Sequence, residues 1–90
     1  MGEREFRDLC VETLIDYIRS HLFLADDAVI TKDKIYSVWM CKALQNNKGL
    51  FATELPDGRY YECTFNGNKR ELYVDCYVKT ENICVKLGGE

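Results

Sequence analysis

The spacing of hydrophobic positions along this chain changes once, near residue 30, from intervals of three and four residues to strict alternation. Before the change, Phe6, Leu9, Cys10, Leu14, Tyr17, Ile18, His21 and Leu22 fall on one stripe, and Glu5, Arg7, Asp8, Glu12, Asp16 and Arg19 occupy the rest of the circumference. A stripe of that period is the mark of a helix that buries one side, so residues 3–23 are expected to form one amphipathic helix. Its acids crowd the first turns, where the helix dipole favours them. Asp26-Asp27 ends it and begins a loop.

Beyond the change the pattern is that of strands joined by tight turns. Residues 35–44 admit two readings. Ile35, Val38, Trp39 and Lys42 could share a short helical face capped by Thr31,. Their β-branched and aromatic neighbours, followed by a turn at Asn46-Asn47-Lys48-Gly49, favour a first strand. The second strand is expected from Leu50 to Leu55. Pro56 then presets a turn corner, with Gly58 at the left-handed position that closes it. The third strand runs from Arg59 to Phe65, and Asn66-Gly67-Asn68 forms a hairpin turn. The fourth runs from Glu71 to Lys79, with Leu72, Val74, Cys76 and Val78 on one side and Tyr73, Asp75 and Tyr77 on the other. Ile83, Val85 and Leu87 alternate again, as a fifth strand or as the fourth resumed past a bulge.

Two registers suit the Asn66 hairpin. A turn at Asn66-Gly67 sets Glu62 opposite Glu71, which like charges oppose. A turn at Gly67-Asn68 sets Glu62 opposite Tyr73 and Tyr60 opposite Asp75, with glycine in the first corner of a type II′ turn, and is preferred. Both leave Tyr61, Cys63 and Phe65 on the side of Leu72 and Val74. The expected fold is therefore α+β: an N-terminal helix packed on a curved antiparallel meander of four or five strands, one domain over residues 1–90 with its sheet in 34–87.

Composition narrows the setting more than the chemistry. The charge is −3 overall, with seven acids against three bases in residues 1–27 and nine bases against eight acids after them. No basic stripe of the kind nucleic acid requires is present, so nucleic acid is not an expected partner. No segment approaches the roughly 20 apolar residues of a membrane span, and the charged N-terminus does not read as a signal peptide, so the cytoplasm is the expected location. Cys10, Cys41, Cys63, Cys76 and Cys84 form an odd set with wide spacing, which reads as structural thiols in a reducing compartment.

No catalytic, metal or phosphate motif stands out, so no enzyme activity and no cofactor are expected. His21 lacks partners that would make it a base or ligand. Glu62 and Asp75 can approach each other on the outer sheet face, but a catalytic pair needs a cleft that a small meander does not supply. Cys41, Cys63 and Cys76 could meet across strands, but without the spacing of a zinc knuckle.

The aromatics do carry a signal. Tyr60, Tyr73 and Tyr77, joined by Trp39 and the carboxylates Glu62 and Asp75, form a candidate interaction face. A second reading makes those rings a stacking pocket for a nucleotide-like ligand, with Lys42, Lys48, Arg59 and Lys79 as its cations. Strand one is apolar on both sides while a single helix covers one, which predicts a homodimer built by stacking sheets or pairing edge strands.

The segments Val38-Trp39-Met40-Cys41-Lys42-Ala43-Leu44-Gln45-Asn46-Asn47-Lys48, Leu55-Pro56-Asp57-Gly58-Arg59-Tyr60-Tyr61-Glu62, Phe65-Asn66-Gly67-Asn68-Lys69-Arg70-Glu71 and Tyr73-Val74-Asp75-Cys76-Tyr77 together resemble a family of small uncharacterised proteins encoded by phages and prophages of Gram-positive bacteria. The resemblance brings no activity to any residue. It implies a setting: an accessory protein in the bacterial host cytoplasm that acts by protein–protein interaction, for example by inhibiting a host or defence factor, its partner unnamed.

Overall fold

A computed structural model describes residues 1–21, 30–56 and 58–88. Helix α1 spans Glu3–His21; Leu22 and Phe23, the expected last residues of the helix, and the Asp26-Asp27 stop lie outside the described residues. Glu3 and Glu5 sit in its first turn and Arg19 in its last, each of these charges matched to the nearer dipole end. The buried stripe is Phe6, Cys10, Val11, Leu14, Ile15 and Ile18. It is rotated from the expected one: Val11 and Ile15 are buried, Leu9 and Tyr17 only pack at its flank, and His21 is exposed.

A short 3₁₀ turn, Lys32–Lys34, leads into four strands: β1 Ile35–Ala43, β2 Asn46–Thr53, β3 Arg59–Asn66 and β4 Glu71–Val78. They form an open antiparallel sheet in the order β1-β2-β3-β4. Residues 35–43 are thus strand, and the helical alternative for them fails. Among the described residues no fifth strand follows. Residues 79–88 form neither strand nor turn and are exposed throughout; this segment is called the arm below.

The core lies between α1 and one sheet face. Phe51, Tyr61, Cys63 and Phe65 meet Phe6, Cys10, Leu14 and Ile18 there. Phe6 packs against Phe51 at a ring separation of 6.4 Å, and Tyr17 meets Tyr61 edge-on at 6.1 Å. Fully burying such side chains contributes roughly 1.5–3 kcal/mol each, which is what holds a single helix on a small sheet.

Three turns explain the observed registers. The first corner falls at Leu44-Gln45, between the paired Ala43 and Asn46, with Leu44 in the left-handed region at φ 57°. Asn46-Asn47-Lys48-Gly49 is therefore strand rather than turn, and Asn47 is buried at 2% exposure. Gly58 takes φ 68° as expected, its carbonyl accepting from Lys79 N at 2.9 Å; Asp57 lies outside the described residues. The third turn departs from both registers considered. Asn66 pairs with Glu71, leaving a loop of Gly67-Asn68-Lys69-Arg70. The Asn66 side chain accepts from the backbone N–H groups of Asn68 and Lys69 at 3.0 and 3.1 Å, and Arg70 goes left-handed at φ 54°. Glu62 consequently faces Asp75, Tyr60 faces Tyr77, and Thr64 faces Tyr73. The offset is two residues, so every side chain keeps its predicted face.

Gly67 is not in the left-handed region, so the type II′ expectation fails. Its glycine has another cause: a Cβ there would overlap the Gln45 carbonyl. The first and third turns lie side by side at one end of the sheet. Gly67 N donates to Asn46 Oδ1 at 3.0 Å and Gln45 Nε2 to Asn68 Oδ1 at 2.8 Å.

Candidate interaction face

One irregularity decides which way Trp39 points. Ser37 pairs with Phe51 and Trp39 with Leu50, leaving Val38 as a bulge between them. Strict alternation from the buried Ile35 would send Trp39 into the core. The extra residue reverses the parity, so Ile35 stays inside and Trp39 joins the solvent side.

Three cross-strand rows then make up that side, each contributed by all four strands. The central row is Trp39–Leu50–Glu62–Asp75, flanked by Tyr36–Ala52–Tyr60–Tyr77 and by Cys41–Lys48–Thr64–Tyr73. All six residues singled out from the sequence, Trp39, Tyr60, Glu62, Tyr73, Asp75 and Tyr77, stand on this one face. Trp39 is 42% exposed, Tyr60 37%, Tyr73 48% and Tyr77 52%. Tyr36, half exposed, and Leu50, half buried, complete the apolar surface; the bulge hid Tyr36 and the displaced start of β2 hid Leu50.

Polar contacts tie the rings to the carboxylates. Tyr77 OH donates to Glu62 Oε1 at 3.4 Å, Tyr73 OH donates to Glu71 Oε1 at 2.6 Å, and Lys48 Nζ stands 3.7 Å from Glu62 Oε2. The Glu62 charge, followed by burial and the Asp75 charge, pushes the Tyr77 phenol above its ordinary value. The hydrogen bond to Glu71, then that residue's charge, does the same for Tyr73. Both phenols are therefore neutral donors at physiological pH.

The cations considered for a nucleotide do not gather here. Lys42 pairs with Asn47 on the helix side of the sheet, Arg59 Nη1 reaches Cys76 Sγ at 3.6 Å on that same side, and Lys79 follows the end of β4. Lys48 alone is on the aromatic face, beside Glu62. Cys41 is on the outer face, opposite Lys48, whereas Cys63 is in the core, so these two thiols do not meet. Instead Cys63 contacts Cys10 of α1; that hydrogen bond, then burial, pushes the Cys10 thiol strongly up. Among the described residues no group of three or more His, Cys, Asp or Glu side chains could hold a metal ion, and no helix is long and apolar enough to cross a membrane.

His21 stacks on Tyr17 at 4.6 Å, with Nδ1 donating to the Tyr17 carbonyl at 3.1 Å, a helix-end role. A cleft of about 380 Å³ between α1 and the 3₁₀ turn is lined by Glu12, Ile15, Asp16, Arg19, Thr31 and Lys32. Its charges are largely engaged locally: Glu12 with Lys32 at 3.9 Å, and Arg19 with the Ile30 carbonyl at 3.1 Å.

Residues 7–87 match a family model described as a family of unknown function, DUF6275. The chain belongs to DUF6275. The match takes in most of α1, all four strands and nearly all of the arm, so the aromatic face and the arm both lie within the DUF6275 unit. No curated protein and no solved structure matches the chain.

Proposed function

We propose that this chain is a binding protein rather than an enzyme, and that it captures a partner protein on the outer face of its sheet. The observation that supports this most is the continuity of the face: β1, β3 and β4 contribute exposed aromatic side chains and β2 the half-buried Leu50 around Glu62 and Asp75. Aromatic residues with polar tips, surrounding a few charges, are the composition of interface centres. Cross-strand pairing that only stiffens the sheet accounts for Tyr60 opposite Tyr77, but leaves Trp39, two strands away from Tyr60, without a reason to be in water.

The chemistry of the face favours a cationic partner segment. Glu62, Asp75 and Glu71 outweigh Lys48, and the surrounding rings present π faces to Lys or Arg side chains. A phosphate-bearing ligand would meet carboxylates here, which ranks the nucleotide reading second. From the resemblance of its turn segments, we place the protein in a phage or prophage setting, acting in the bacterial cytoplasm on a host or defence factor.

The test is affinity capture from a bacterial lysate with the wild-type chain and with Tyr73→Ala plus Tyr77→Ala. Both rings are about half exposed, so the variant should keep its circular-dichroism spectrum and lose the partner. If every specific partner stayed bound, the face would be wrong. A thermal-shift panel of nucleotides checks the second reading, since a ligand at 100 times its Kd adds about 2.7 kcal/mol.

A further inference from the structure

We propose that residues 79–88 are an exchange arm, which lies along the open edge of β4 in a second copy of this chain. Ile83, Val85 and Leu87 alternate with Cys84 and Lys86, the pattern of a strand with one buried side. Yet they are 72%, 70% and 88% exposed, and no described residue covers them. The chain's Cα radius of gyration is 15.5 Å, against about 12 Å for a compact domain of this length, as an outstretched arm requires.

The receiving surface is the strand from which the arm emerges. β4 is an edge strand, with backbone groups open to another strand. Its core-side row is incompletely covered: Leu72, Val74 and Cys76 are half buried and Val78 is 53% exposed. Ten residues in extended form reach about 34 Å and the eight of β4 cover about 27 Å, so the arm is long enough for most of that edge.

Why a second copy fits best follows from symmetry and charge. The arm continues β4 without a turn, so it does not double back onto its own edge. Two copies crossing antiparallel near residues 80–81 would each lay an arm on the other's β4, and one two-fold contact would cover both edges. The arm carries Lys79 and Lys86 against Glu81, whereas β4 carries Glu71 and Asp75. The crossing brings Lys86 of one copy beside Asp75 of the other. Stacking the aromatic faces instead would oppose Glu62 and Asp75 to their own copies, which like charges resist.

Light scattering on the full chain at micromolar concentration tests this. The wild type should have twice the 10.5 kDa protomer mass, and Ile83→Lys with Val85→Lys should return it to one protomer with its circular-dichroism spectrum intact. Lys86→Glu, which leaves the aromatic face untouched, should weaken the dimer by roughly tenfold; adding Asp75→Lys should restore it. A monomeric wild type would overturn the proposal, as would a dimer unaffected by the Ile83 and Val85 changes. Failure of the charge swap to restore the dimer would overturn the antiparallel crossing.

Discussion

Glu62 and Asp75 stand directly opposite each other across β3 and β4, two carboxylates in one cross-strand pair on the solvent side. Such a pair weakens a sheet. Glu62 has Lys48 and the Tyr77 hydroxyl close by, while Asp75 has no ion pair among the described residues. The arrangement is a small standing cost that a cation from a partner would remove. In the Ile83→Lys plus Val85→Lys background, where no second copy brings Lys86 to this pair, Asp75→Asn should therefore raise stability by roughly 0.2–1 kcal/mol, read as a higher urea midpoint, while weakening partner capture. A lower midpoint would contradict this account of the pair.

The same carboxylates set the alkaline behaviour. Tyr77 and Tyr73 are held above the ordinary tyrosine value of about 10, chiefly by the Glu62 charge and by the Glu71 hydrogen bond respectively. A group whose pKa is raised by folding adds stability below its unfolded value and loses it as pH rises through the folded one. The share of the urea midpoint that these two phenols support should consequently be lost only above about pH 10. In an ultraviolet titration of the phenols, Glu62→Gln should bring the Tyr77 midpoint down, and an unchanged midpoint would show that Glu62 is not the cause.

Two turn residues should respond with opposite signs. Leu44 is 87% exposed and left-handed, a conformation that costs a non-glycine residue about 1–3 kcal/mol. Leu44→Gly should therefore stabilise the chain, with no packing lost. Gly67→Ala drives a methyl group into the Gln45 carbonyl and should destabilise by about 1–3 kcal/mol, parting the two turns. Thermal melts of both variants check the signs.

These turns also show what the letters conceal. Asn66-Gly67 reads as a two-residue corner, but the Asn66 side chain takes two backbone donors and lengthens the loop to four. Leu44-Gln45 contains none of the usual turn residues, so Asn46-Asn47-Lys48-Gly49 draws the eye while Asn47 is buried in β2. The Val38 bulge has no compositional sign at all. On α1, apolar residues flank both sides of Cys10–Leu14–Ile18, and only the position of the sheet selects Val11 and Ile15 over Leu9 and Tyr17. The outer face of β3 and β4 was legible nonetheless. An error of two residues in register leaves parity intact, so Tyr60, Glu62, Tyr73, Asp75 and Tyr77 stay together. The arm's alternation was legible as a strand pattern, but its exposure along its whole length was not.

Thiol reactivity should divide along burial. Cys41 and Cys84 are exposed, whereas Cys10 and Cys63 are buried against each other. Because the thiolate is the reactive form, an alkylating reagent at neutral pH should label Cys41 and Cys84 in the folded protein. Cys10 and Cys63 should react only after denaturant is added. Mass spectrometry of the peptides reads the order, and early labelling of Cys10 would show that the helix does not seal this part of the core.

The central claim is that a partner protein docks on the aromatic and acidic face, and a binding titration with the captured partner tests it most directly. Wild type should be compared with Glu62→Gln plus Asp75→Asn, and with Asp8→Asn plus Glu12→Gln on the exposed side of α1. The account predicts at least roughly tenfold weaker binding for the sheet pair, as for charges lost from the centre of an interface, and unchanged binding for the helix pair. Equal affinity for the wild type and the sheet pair, or a loss confined to the helix pair, would contradict it.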